Sequence, residues 1–139
     1  MNKTPVDIDQ EAILLFHDLA EQRDNYARTD EKAGFTVSSE FRHRFFSLLD
    51  ALNLRLIDDR DNFFGYFLFQ ADRDLRFQLD SPTGTTFKNG RYTLYFNPYL
   101  FLQLTAEQME SAVKHEVLHI LSLHPLRTKD LKKRFSPLA

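Results

Sequence analysis

The spacing of apolar residues predicts two amphipathic helices in the first part of the chain. Between residues 7 and 28, apolar positions recur three or four residues apart with charged residues between them, at Ile8, Ala12, Leu15 and Leu19. A second such stripe follows a connector (residues 29–37) at Phe41, Phe45, Leu48, Leu49 and Leu52. Ser38 or Ser39 is a suitable N-cap, so we expect this helix to run to about Leu52.

The middle of the chain has the pattern of β-strands. An aromatic run over residues 62–70 is followed by a mostly polar segment, residues 71–74, that can turn into a second strand over residues 75–79, which predicts a hairpin. The sequence Lys88-Asn89-Gly90 predicts a tight turn. Residues 91–96 then alternate apolar and polar side chains, which predicts a strand that Asn97-Pro98 ends. We expect residues 98–103 to form a short helical turn.

The last predicted element is a helix over residues 105–123. Thr105 and Gln108 have the spacing of a capping box, in which each side chain binds the backbone N–H of the other residue. Pro125 ends the helix, because the residue before a proline is pushed out of the α region.

These elements predict an α+β fold: N-terminal helices and a small, mostly antiparallel sheet packed on a C-terminal motif helix. We expect a single domain over residues 1–139, with a helical part (1–58), a sheet part (59–104) and an active-site helix (105–124). This length suffices for one hydrophobic core.

Composition excludes several classes of protein. The chain has no cysteine, so disulfides and thiolate metal ligands are excluded, and any metal must be bound by histidines and carboxylates. The net charge of −2 makes nucleic acid an unlikely partner. There is no apolar run of membrane-spanning length and no signal-peptide pattern at the start, so we expect a soluble, cytoplasmic protein with no membrane partner.

The motif helix carries the sequence His115-Glu116-Val117-Leu118-His119, a His-Glu-x-x-His pattern. A chain with this composition would contain it by chance only about 0.009 times. On a helix, His115 and His119 share one face with Cβ atoms about 5–6 Å apart, so both imidazoles can bind one zinc ion. Glu116 lies beside them and can activate a zinc-bound water as general base.

A third zinc ligand is not fixed by this spacing. His124 is our leading candidate, because Pro125 forces the backbone at His124 to leave the helix and can return its imidazole to the ion. On a continued helix, His124 would face away from the metal, about 140° round from His119. Asp130 or a residue outside the chain are the alternatives.

The chain also resembles a known family. Pro82-Thr83, residues 88–91, Leu94-Tyr95-Phe96-Asn97-Pro98 and the His115–His124 motif resemble the bacterial putative metallopeptidase domain that precedes a von Willebrand A-like domain. The resemblance covers roughly residues 60–127. It implies a zincin-like fold in which an edge strand, either 62–70 or 91–96, pairs with extended peptide. It also implies a von Willebrand A-like domain or partner.

Three functions are consistent with these residues. The leading one is a zinc-dependent peptidase acting on a peptide or protein, with Tyr95, Tyr99 or Arg127 as candidate stabilisers of the oxyanion. The second is a non-catalytic zinc-binding interaction domain. The third is a metal-dependent endoribonuclease with three histidines, since that family has a similar motif with one more residue in the spacing.

Overall fold

The computed structural model describes residues 7–28, 34–58, 67–68 and 70–123, which form an α+β fold, as predicted. The sheet within these residues has three strands, and the helices pack beside it. No described helix combines the length and apolar character needed to cross a membrane. The elements in chain order are α1 (Ile8–Ala27), α2 (Ser39–Asp58), β1 (Asp72–Leu75), β2 (Thr83–Lys88), β3 (Arg91–Phe96), α3 (Pro98–Phe101) and α4 (Ala106–Leu123).

Both N-terminal helices begin where side-chain caps satisfy their first backbone N–H groups. Asp7 Oδ1 accepts a hydrogen bond from the Gln10 N–H, and Ser38 Oγ accepts one from the Phe41 N–H. Helix α2 continues six residues past its predicted end at about Leu52. Leu56, which is fully buried, extends the apolar stripe, and no glycine or proline interrupts the helix.

The sheet has the order β1-β3-β2, so β3 lies at its centre. Strand β2 pairs antiparallel with β3, whereas β1 pairs parallel with β3, so the sheet is mixed and the prediction of a mostly antiparallel sheet was wrong in this respect. The predicted turn between β2 and β3 is confirmed, with positive φ values of 56° at Asn89 and 77° at Gly90. Positive φ at both central residues is typical of the type I′ turn that matches strand twist.

The predicted hairpin before this turn was wrong. Phe67, Leu68 and Gln70 are helical, and the Ala71 N–H donates to the Phe67 carbonyl; the rest of residues 62–70 lies outside the described part of the chain. Phe67 and Leu68 are both buried, whereas consecutive residues of a strand point to opposite faces, so a strand with one buried face would bury only one of them.

The polar residues predicted as a turn instead form β1. Its charged side chains are paired across the molecule: Asp72 with Arg91, Arg73 with Asp50, and Asp74 with Arg42. Of the predicted strand over residues 75–79, only Leu75 belongs to a strand.

The core lies between the inner face of the sheet and the helices. Phe96 of β3 and Phe101 of α3 meet edge to face with ring centroids 5.2 Å apart, and Phe45 of α2 contacts both rings. Helix α4 presents one apolar face to this core through Met109, Val113, Val117 and Ile120. The opposite face of α4 therefore points away from the core, and it carries the motif histidines.

Candidate metal centre

Helix α4 is held at its N-terminus by contacts from two parts of the chain. The predicted capping box is present: Thr105 Oγ1 accepts from the Gln108 N–H, and Gln108 Oε1 accepts from the Thr105 N–H. In addition, Asp9 of α1 accepts a hydrogen bond of 2.7 Å from the Ala106 N–H, across 97 positions of sequence. The helix that carries the motif is thus fixed locally and by α1.

The motif side chains line one open groove of about 890 Å³. His115 and His119, one helical turn apart, are exposed, and Glu116 is half-buried between them and the core face of α4. The wall formed by α4 and by Leu104, two residues before it, comprises Leu104, Glu107, Gln108, Ser111, Ala112, His115, Glu116 and His119.

The opposite wall of the groove is formed by Ser81, Pro82 and the first two residues of β2, Thr83 and Gly84. Thr83 is buried, and its hydroxyl donates to Glu116 Oε2 at 3.4 Å. The backbone of Thr83 is fixed, because it pairs with Phe96 and its carbonyl accepts a 2.7 Å hydrogen bond from the Ser81 hydroxyl. Strand β2 thus contacts the motif helix through the hydrogen bond from Thr83 to the Glu116 carboxylate.

The groove offers a metal ion two histidine side chains from α4. His115 and His119 offer two imidazoles at a spacing that zinc can bridge, and both are accessible from the groove. A catalytic zinc site needs three protein ligands, and the described residues contain no group of three metal-binding side chains. His124, Asp130 and Arg127 lie outside the described residues. The described residues therefore fit a zinc ion as two of its three ligands.

Two other predicted site residues lie away from the groove. Tyr95 pairs with Gly84, but its ring lies beneath the guanidinium of Arg76 at 4.0 Å. Tyr99 packs against Phe16 and beneath Arg23. Neither tyrosine lines the groove, so the geometry does not favour them as oxyanion stabilisers.

Neither segment predicted as the edge strand beside the site has that position. The segment 91–96 is the central strand, and 62–70 is helical where it is described; β2 is the strand beside the groove. Strand β2, with the sequence Thr-Gly-Thr-Thr-Phe-Lys, was not predicted, because it lacks regular apolar alternation. Thr83 was named only within the family resemblance and was given no role at the site, since its contact with Glu116 joins residues 33 positions apart.

The chain also matches a known protein family. The family model described as "Putative metallopeptidase domain" matches residues 53–139, well over half of the chain. Neither the curated proteins nor the solved structures gave a significant match. The predicted resemblance to a metallopeptidase family is thereby confirmed, whereas the zincin-like fold and the von Willebrand A-like neighbour stay predictions.

Proposed function

The chain belongs to the putative metallopeptidase domain family, and we propose that it is a zinc-dependent peptidase in which Glu116 is the general base. One observation carries the proposal: His115, Glu116 and His119 line a single groove whose other wall is a β-strand at the edge of the described sheet. A metallopeptidase requires metal ligands, a base and a surface for peptide, and this groove offers a candidate for each.

The roles of the side chains follow from their chemistry. His115 and His119 would hold the zinc ion through one ring nitrogen each, and we assign His124 as the third ligand. When bound, zinc supplies Lewis acidity, which acidifies water and polarises a carbonyl group. Glu116 would accept the proton of the attacking water on a carboxylate oxygen and return it to the leaving amine. Because Glu116 lies one residue from His115, it reaches the same region of the groove without being needed as a ligand.

Strand β2 supports peptide as the substrate. One edge of β2 pairs with β3, and its other edge has no partner strand among the described residues. Backbone N–H and C=O groups along an open edge can pair with an extended peptide. A peptide bound there would run along the groove past Glu116, since Thr83 and Gly84 face the motif helix across it.

The charge of the groove favours peptide over RNA. None of the described residues that line it is lysine or arginine, and two of them, Glu107 and Glu116, are acidic. An RNA-binding groove should instead be basic, with aromatic side chains for base stacking. The endoribonuclease alternative is therefore disfavoured, and a non-catalytic zinc-binding domain is the alternative that the experiments below must exclude.

Metal content is the first test. Protein purified at neutral pH without chelator or nickel resin should contain close to one zinc per chain by mass spectrometry. His115→Ala/His119→Ala should lose it, because one remaining ligand cannot retain zinc. His17→Ala/His43→Ala is the matched control, since it removes two histidines of α1 and α2 instead. Equal zinc in all three proteins would refute the assignment of the ligands.

Hydrolysis is the second test. Zinc-loaded wild type should cleave fluorescein-labelled unfolded casein, and Glu116→Gln should retain zinc and fold but lose cleavage. Glu107→Gln is the control, because it neutralises another carboxylate of the same groove. If Glu116→Gln cleaves as fast as wild type, Glu116 is not the base. If wild type binds zinc but cleaves nothing, the domain is a binding module.

A further inference from the structure

The hydroxyl of Thr83 contacts the carboxylate of Glu116. Thr83 is 9% exposed, and its hydroxyl donates to Oε2 of Glu116. The distance of 3.4 Å is long for an O–H···O hydrogen bond. Hydrogen bonds in catalytic sites are often long without substrate and shorten when the complex forms.

The two partners differ in how firmly they are held. The Thr83 backbone is fixed by pairing with Phe96 and by the hydrogen bond from Ser81, whereas the Glu116 side chain ends in an open groove. A glutamate side chain has three rotatable bonds, so an unrestrained carboxylate would sample several positions. The fixed hydroxyl of Thr83 can select one of them and leave Oε1 available to accept a proton.

We propose that Thr83 is a positioning residue for the reaction: it holds the Glu116 carboxylate at the groove wall so that one oxygen is directed to the attacking water. This inference rests on the proposed function. It assigns no contact with substrate or metal to the hydroxyl of Thr83, which acts through Glu116. It predicts a loss in kcat rather than in KM, because the positioned base is used in the chemical step.

Valine and serine at this position separate the hydroxyl from the shape of the side chain. Thr83→Val keeps the branched shape and removes the hydroxyl, so we expect kcat on labelled casein to fall about ten- to a hundred-fold, which is the range for a hydrogen bond to a charged group. KM and zinc content should stay within about two-fold of wild type. Thr83→Ser retains the hydroxyl and should restore most of kcat. Thermal unfolding would establish that each variant is folded.

Thr85→Val is the matched control. Thr85 lies two residues further along β2 and on the same face, but its hydroxyl donates to the Thr93 carbonyl. This variant loses a hydroxyl from the same strand without affecting Glu116, so its kcat should remain close to that of wild type. Equal kcat for wild type and Thr83→Val, or equal losses in Thr83→Val and Thr85→Val, would overturn the proposal.

A second measurement needs no enzymatic activity. In protein labelled with ¹³C at the glutamate carboxyl groups, Glu116→Gln identifies the Glu116 signal by its disappearance. Thr83→Val should shift that signal, whereas Thr83→Ser and Thr85→Val should leave it near its wild-type position. An unchanged signal in Thr83→Val overturns the positioning contact, even if the peptidase is active. Wild type without Glu116-dependent cleavage instead overturns the proposed function, while the signal still reports on the contact.

Discussion

The hydrogen bond from the Ala106 N–H to Asp9 predicts that a residue of α1 stabilises the motif helix. Asp9→Ala removes the acceptor for one backbone N–H at the start of α4 and a negative charge near its positive end. Loss of a capping side chain costs about 1 kcal/mol, and a charge at a helix N-terminus contributes about 0.3–1 kcal/mol. Asp9 is itself exposed and Thr105 still caps the helix, so we expect a total loss of about 1–1.5 kcal/mol.

Urea unfolding followed by circular dichroism measures this loss, and the melting temperature should fall by about 4 °C for a chain of this size. Asp9→Asn keeps an acceptor oxygen but removes the charge, so it should lose about half as much. Asp9 also lies in the first turn of α1, where both variants remove a favourable charge. The difference between the two variants therefore measures the hydrogen bond from the Ala106 N–H. Glu21→Ala, an exposed carboxylate elsewhere on α1, should change stability by less than about 0.5 kcal/mol. Equal stability of Asp9→Ala and Glu21→Ala would refute the role of Asp9.

Three further predictions concern the third ligand, the core and the turn. His124→Ala should weaken zinc affinity by orders of magnitude in a competition titration with a chelator, and unchanged affinity would exclude His124 as a ligand. Phe101→Ala should lower the free energy of unfolding by about 3–5 kcal/mol, because this fully buried ring contacts Phe45 and Phe96. A loss below about 1 kcal/mol would contradict that packing. Gly90→Ala should cost about 1–2 kcal/mol at its φ of +77°, whereas Gly34→Ala, whose added Cβ would have no atom within 4 Å, should be neutral or slightly stabilising. Similar values for the two glycine variants in urea unfolding would argue against the turn.

Much of the fold was predictable because its signals are local. The stripes of α1 and α2, the alternation over β3 and the Asn89-Gly90 turn each depend on neighbours within a few residues. The capping box of α4 was predicted for the same reason and is present.

The errors occurred where distant residues determine the structure. Strand β1 is polar in sequence, and its ion pairs with α2 and β3 cannot be inferred from the segment itself. The parallel pairing of β1 with β3 also joins segments about 20 residues apart, with β2 between them in the chain. Local patterns therefore favoured a turn where tertiary contacts form a strand.

In the candidate site, too, the local arrangement was predictable and the contact between distant residues was not. The spacing of His115, Glu116 and His119 predicts a shared helix surface, and the structure has all three lining one groove. The wall opposite them was not predicted, because no local pattern links Thr83 to Glu116, which follows 33 residues later. Sequence could thus identify candidate ligands and a base, but it could not identify the strand that faces them.

The family match does not mark a segment that could be cut from the chain without loss. Residue 53 lies inside α2, so the matched segment divides that helix and leaves Phe45 outside. Phe45 packs on Phe96 and Phe101, which lie inside the segment and would lose this contact without it. A fragment that begins at residue 53 would therefore lack one of the rings that pack in this core. A shortened protein made for the metal and peptidase assays should keep the whole of α2.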